Sequence, residues 1–144
     1  MQVAVFGDVK AEGICGSGIV DAIAAMLDAG VLDETGCILE DGHAFEGQVR
    51  EIDGQPAFVL PGTQVEITQK DVRAVQLAKS AIHAGMITLL QEAGIAPEKV
   101  KNMLIAGGFG SCIRPRSAER IGLIPKGFAE KAVSLEMQLG RVPL

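Results

Sequence analysis

The sequence predicts an α/β fold, and three observations carry that reading. Apolar residues recur at helical spacing in two well-separated stretches. Between them, short apolar runs rich in Val and Ile alternate with the turn dipeptides Asp41-Gly42, Asp53-Gly54 and Pro61-Gly62. Glycine-rich turns stand where strands and helices meet. At 144 residues the chain fits one domain, 1–144, and its 48% hydrophobic against 22% charged residues favours a packed core over disorder. With 18 Gly but only 5 Phe, no Trp and no Tyr, that core has to be built from Ala, Val, Ile and Leu on closely approaching backbones.

The first expected element is a short strand, Gln2 to Val5, closed by Gly7-Asp8. Gly13-Ile14-Cys15-Gly16-Ser17-Gly18 then opens a helix whose apolar Ile19, Ile23, Met26 and Leu27 share one face, with Gly30 as its stop. Residues 36–67 read as a β-hairpin or meander insertion, with strands at Cys37–Leu39, Gln48–Ile52, Ala57–Leu60 and Val65–Ile67. A long helix, Asp71–Ala93, follows from a capping box. Thr68 offers its hydroxyl and Asp71 its carboxylate, and the apolar stripe runs Val72, Val75, Ala78, Ile82, Met86, Leu89. Ala74, Ala78, Ala81, Ala84 and Gly85 thin this helix for the approach of another backbone, and His83 reads as a satisfied boundary histidine. Ala96-Pro97-Glu98 starts a further turn. Lys101–Ala106 reads as a buried strand running into Gly107-Gly108-Phe109-Gly110-Ser111, Pro115 opens a short helix to Ile121, and Ala129–Leu139 is the last expected helix.

Charge and composition narrow the function classes. A net charge of −5 and few aromatic residues argue against a nucleic-acid binder. No apolar run reaches about 18 residues, and the start lacks a charged region before an apolar one, so neither membrane span nor leader is expected and the protein is read as cytoplasmic. Seven acids lie between Asp33 and Asp53, whereas Lys99–Lys131 is dominated by bases, which suits either two solvated faces or a later segment that meets an anion. The three cysteines, Cys15, Cys37 and Cys112, form no close pair; they read as reduced thiols packed as small apolar residues, with no zinc site.

Two segments put glycines where backbone N–H groups can face a ligand: Gly13-x-x-Gly16-x-Gly18 before a helix, and Gly107-Gly108-Phe109-Gly110 after a strand. Neither is a P-loop or a dinucleotide fingerprint, and close helix–sheet packing explains such turns equally well. Ser17 is not in a nucleophile elbow, so no catalytic residue is identified. Asp21 is the one acid placed near a glycine-rich turn, and a helix-dipole partner is the plainer reading of it.

Four blocks in order resemble a known family: Gly13-Ile14-Cys15-Gly16-Ser17-Gly18-Ile19-Val20-Asp21-Ala22; Ile67 to Gly85 with Thr68, Gln69, Asp71, Arg73, Gln76 and Lys79; Ala106-Gly107-Gly108-Phe109-Gly110; and Ala118-x-x-Ile121-Gly122-Leu123-Ile124-Pro125. The set is similar to the C-terminal ATPase-like region of the reductive activators of corrinoid proteins, in the acetate and sugar kinase/heat-shock/actin-like (ASKHA) superfamily. The resemblance implies a ribonuclease-H-like, actin-like ATPase lobe with the β-hairpin as an insertion. In that family ATP hydrolysis drives electron transfer from a ferredoxin domain to an inactive cobalt(II) corrinoid on a methyl-transfer protein. It implies Gly107-Gly108 as the adenosine motif and the Gly16-Ser17-Gly18 turn as a second loop facing the nucleotide; the candidate cofactor-binding set is then Gly16, Ser17, Gly18, Asp21, Gly107, Gly108, Phe109 and Gly110, with Arg114 as a candidate to lie over adenine or phosphate. It implies ATP with Mg²⁺ as ligand and a corrinoid protein or methyltransferase as partner.

The chain lacks the family's Asp-x-Gly-Thr phosphate loops, its ferredoxin cysteines and its Gly-Asn-x-Ala helix. A fragment or shortened relative without an iron–sulfur cluster is therefore expected, its Mg²⁺-holding groups in the absent lobe. The alternative is a non-catalytic module in which the Ala-rich helix and the hairpin mediate dimerisation, making the protein a homo-oligomer, or docking on a corrinoid protein or methyltransferase. A sugar or small-acid kinase lobe follows from superfamily membership alone and fits the four blocks less well.

Overall fold

A computed structural model describes residues 3–5, 9–107 and 112–134. Helix α1 (Gly16–Asp28) begins where Cys15, in extended conformation, turns its sulfur back onto the Gly18 N–H. It ends as its Gly30 predicted: the Gly30 N–H meets the Leu27 carbonyl and the Val31 N–H the Met26 carbonyl at 2.9 Å, the paired bonds of a Schellman stop. Strands β1 (Val49–Ile52), β2 (Gln55–Val59) and β3 (Glu66–Thr68) follow as an antiparallel meander in the order β1-β2-β3. The Ile52↔Gln55 register leaves Asp53-Gly54 as a two-residue turn, and both residues take the positive φ that a type I′ hairpin requires.

Helix α2 (Gln69–Glu92) starts from the expected capping box. The Asp71 carboxylate accepts both the Thr68 N–H at 2.9 Å and the Thr68 hydroxyl at 2.6 Å, and the Asp71 N–H returns to that hydroxyl at 3.2 Å. After a 3₁₀ turn at Pro97–Lys99 come strand β4 (Met103–Ile105), helix α3 (Pro115–Arg120), a second such turn at Ala129–Lys131 and strand β5 (Ala132–Ser134), which pairs parallel with β4. Helices and sheets mix throughout, the α/β class the pattern predicted.

The chain divides into two compact units, Met1–Leu77 and Ala78–Leu144. In the first, Met26, Val31, Ala57, Phe58, Ile67 and Val72 are buried, and the Phe45 and Phe58 rings stand edge to face with centroids 6.2 Å apart. In the second, Ala118, Ile121, Ile124 and Phe128 are buried around α3.

Several expectations are corrected. Residues 3–5 form no strand and carry the exposed Val3 and Val5 (Gln2, Gly7 and Asp8 lie outside the described residues). Cys37–Leu39 is a loop with a single bridge, Leu32↔Ile38, because the Ile38 N–H is taken by the Gln69 side chain rather than by a strand. The strand expected to be buried at 101–106 is only Met103–Ile105, with Leu104 56% exposed on its open face. Ala129–Leu139 is no continuous helix: one 3₁₀ turn gives way to β5, and 135–139 lie outside the described residues.

The stripe on α2 is also rotated from the expected one. Val72, Val75, Gln76, Lys79, His83, Met86, Ile87 and Leu90 lie on its sheltered face, while Ala78, Ile82 and Leu89 are exposed. Polar residues are accepted on the sheltered face because they find carbonyls: Gln76 donates to Thr35 O, and the Lys79 ammonium to Ile121 O at the C-terminal end of α3, where a cation is favoured. His83 is not fully satisfied, since among the described residues its buried Nδ1 has no hydrogen-bond partner.

Candidate functional site

The first group of predicted site residues sits on α1. Gly16, Ser17 and Gly18 form its opening turn, where backbone N–H groups and the helix dipole favour an anion. Ser17 is buried, and its hydroxyl lies 3.4 Å from the Cys15 sulfur. The Gly18 N–H donates to that sulfur at 3.3 Å. A Cβ on Gly18 would stand 3.0 Å from Ile14 Cγ1 and 3.2 Å from the sulfur, so the cap itself calls for glycine at this position. The Ser17 hydroxyl first, and the Gly18 N–H next, hold the Cys15 thiol below its ordinary pKa.

Cys15 is thus the residue sequence reasoning missed. It was expected to pack as a small apolar group; instead it is exposed and acts as N-cap. Sulfur is a weak acceptor, so Cys fails the usual Ser/Thr/Asp/Asn signature. The available signal was its place three residues before a glycine at the head of an apolar helical pattern. Cys37 is half-buried and Cys112 exposed, so neither packs as a core residue.

Asp21 lies half-buried in the second turn of α1, past the first turn where the dipole acts. The helix-dipole reading of Asp21 is therefore corrected, because the helix starts at Gly16 and its first turn holds no acid.

The second group follows β4 in the other unit. Gly107 has φ +88°, a conformation that L side chains rarely adopt, and among the described residues nothing lies within 4 Å of where a Cβ would stand. Backbone conformation, not crowding, therefore selects glycine there. The loop leaves the C-terminal edge of the parallel pair β4-β5, the edge at which open α/β sheets take their ligands. Gly108, Phe109 and Gly110 lie outside the described residues. Arg114 is the exposed residue at the N-cap of α3. The structure thus gathers Gly16, Ser17, Gly18 and Asp21 on one helix and places Gly107 in the second unit.

Among the described residues no three His, Cys, Asp or Glu side chains gather to hold a metal ion. Among the described residues, too, no helix is long and apolar enough to cross a membrane.

A family model described as the C-terminal domain of RACo, the ASKHA domain, matches residues 1–136. The chain is 38% identical over 134 residues to the corrinoid activation enzyme RamQ of Eubacterium limosum, a match covering 85% of this chain and 23% of RamQ. It is 32% identical over 124 residues to the Co(II) methylated amine-specific corrinoid protein reductase of Methanosarcina barkeri, covering 86% of this chain and 20% of the reductase. Among solved structures it is similar to a reductive activator for a corrinoid, iron–sulfur protein, with a TM-score of 0.73 and 30% identity over 85% of this chain and 20% of the other. The chain spans about a fifth of the length of these relatives.

Proposed function

The chain belongs to the family of C-terminal ASKHA domains of RACo, and from that premise we propose that it supplies the nucleotide-facing part of an ATP-dependent reductive activator of a corrinoid protein. In this reading residues 1–144 act as one portion of an ASKHA domain, in the cytoplasm, on a corrinoid protein or its methyltransferase. The Gly16-Ser17-Gly18 turn of α1 faces phosphate through Ser17 and the N–H groups its cap leaves, the Gly18 N–H being held by the Cys15 sulfur, with Asp21 one turn behind. Gly107, with Gly108, Phe109 and Gly110, takes the adenosine side. Mg²⁺ would enter with the nucleotide and would supply neutralising charge at its phosphates. When bound, ATP supplies the free energy of hydrolysis that drives an electron onto cobalt(II). The residues of this chain bind and orient the nucleotide.

The observation that carries the reading is the match over residues 1–136 to an ASKHA domain, and the glycine-opened start of α1 supports it. Calorimetric titration with Mg-ATP and Mg-ADP tests it. Heat of binding is expected from the intact chain and is expected to vanish in Gly107→Val, whose side chain the φ of +88° does not accept. A folded chain that gives no heat with either nucleotide overturns the nucleotide assignment.

One observation favours the second reading, an assembly module. The outer face of α2 presents Leu77 at 76% and Leu89 at 72% exposure, with Ala74, Ala78, Ala81 and Gly85 along the same side. Light scattering on the eluted protein tests it. A homo-oligomer that dissociates in Leu77→Lys or Leu89→Lys supports it, and a monomer at all concentrations removes it.

A further inference from the structure

Three side chains of the long helix are left unused by the nucleotide reading. Gln69, Arg73 and Gln76 stand at i, i+4 and i+7 on α2, so they share one face. All three reach the loop 33–38. The Gln69 side-chain amide bridges it, Oε1 accepting the Ile38 N–H at 2.8 Å and Nε2 donating to the Gly36 carbonyl at 2.7 Å. Arg73 donates through Nη1 to the Thr35 carbonyl at 2.9 Å and through Nη2 to the Cys37 sulfur at 3.3 Å. Gln76 donates to the same Thr35 carbonyl at 2.9 Å, and its Oε1 accepts from Arg73 Nη1 at 2.7 Å, which braces the two against each other.

The loop is shaped to be held in this way. One Asp33 carboxylate oxygen accepts the Thr35 N–H, the Thr35 hydroxyl and the Cys37 N–H, at 2.8, 2.7 and 2.9 Å, which curls the segment and turns its carbonyls outward. Gly36 has φ +82°, and a Cβ there would collide with the Gln76 amide nitrogen. On its other side the loop is bonded to the end of α1. The Val31 N–H caps the Met26 carbonyl at 2.9 Å, the Leu39 N–H donates to the Val31 carbonyl at 2.8 Å, and Leu32 bridges Ile38. A continuous run of hydrogen bonds therefore leads from the C-terminal end of α1 through 31–39 to α2. It bypasses the meander, since Ile38 and Gln69 are 31 positions apart in sequence.

We propose that Gln69, Arg73 and Gln76 form a clasp that positions α1. The clasp fixes the loop at the helix's C-terminal end to α2, and so sets where its opening turn points. A 13-residue helix is a stiff rod about 20 Å long, so a displacement at one end is carried to the other. The clasp stands on the hydrogen bonds above. That it aims a phosphate-facing turn rests on the nucleotide reading.

The test uses the full chain with Arg73→Lys, which keeps the charge but not the two-pronged donor, and with Gln76→Ala. Three quantities are read: alkylation of Cys37 by iodoacetamide, resolved from the other thiols by peptide mass; amide exchange along α1 and the meander; and calorimetric Mg-ATP affinity. Cys37 is expected to be alkylated about tenfold faster, and amides from Val20 on α1 through its C-terminal stop to Leu32 to exchange faster by a similar factor, while those of Phe58 and Ile67 keep their rates. Where the intact chain binds Mg-ATP, its affinity is expected to fall with them. Faster alkylation with unchanged α1 exchange overturns the proposal, for the loop then opens alone. Equal acceleration in the meander also overturns it, because the residues then serve general stability. If the intact chain binds no nucleotide, the nucleotide reading fails, and the exchange pattern decides the clasp by itself. Gly36→Ala, whose Cβ would displace the Gln76 amide, is expected to reproduce the Arg73→Lys pattern without any substitution on α2.

Discussion

Glu119 on α3 accepts the Ala129 N–H at 2.8 Å, so a carboxylate from a helix closes the turn ahead of β5. The Ala129 N–H first, then that of Gly127, hold the Glu119 carboxyl below the usual carboxylate range, with Lys126 adding a smaller favourable charge. A depressed folded-state pKa contributes stability that is present above the unfolded value of about 4.3 and is lost as pH falls through the folded value. Stability of the second unit is therefore expected to fall on acidification below about pH 4.5, and this part of the fall to flatten in Glu119→Gln. Urea midpoints measured from pH 7 to pH 3 check it; equal slopes in both proteins count against it.

The capping box gives a prediction of known size. Thr68→Ala removes the hydroxyl that both donates to Asp71 and accepts its N–H. Such caps are worth about 1 kcal/mol, within a range of roughly 0.5–2. Thr68→Ser keeps the same oxygen and is expected to stay within a few tenths of the parent. Chemical denaturation of the two variants separates the cap from any effect of side-chain bulk.

What was legible in the sequence was mostly local. Thr68 with Asp71, Gly30 after the Met26-Leu27 pair, and Asp53-Gly54 between two short runs each encode a bond within a few residues, and each formed as its chemistry dictates. The phase of α2 was not legible, because Gln76 and Lys79 are drawn to the sheltered face by carbonyls 41 and 42 positions away. The segment from Ala129 was misread because a few apolar residues fit a helix and a three-residue strand equally, and only pairing with β4 decides between them. Of the candidate site, the glycine-opened helix was visible as a pattern. Its cap was not, since sulfur seldom plays that part.

Burial separates two large hydrophobic residues sharply. Phe58 is fully buried at 0% exposure and meets Phe45 edge to face, so Phe58→Ala is expected to cost about 3–5 kcal/mol, enough to unfold a marginal domain. Leu104, at 56% exposure, leaves little cavity behind, and Leu104→Ala is expected to stay within about 0.5 kcal/mol. Thermal melts of both variants, followed by circular dichroism, check the contrast. A Leu104→Ala loss comparable with that of Phe58→Ala would mean that a partner covers β4 in solution.

The last prediction concerns the thiol at the head of α1. Thiolate is the reacting form, and the Ser17 hydroxyl and Gly18 N–H lower the Cys15 pKa, so more of it is ionised near neutral pH than of an unstructured thiol. Its alkylation by iodoacetamide is expected to show an inflection at lower pH than that of free glutathione under the same conditions. Ser17→Ala removes the largest contribution and is expected to move the inflection upward, whereas Cys15→Ser abolishes labelling at that position and keeps the cap, since a hydroxyl accepts the Gly18 N–H as well as sulfur does. An inflection that stays put in Ser17→Ala would show that the helix N-terminus, rather than the neighbouring hydroxyl, sets the acidity of this thiol.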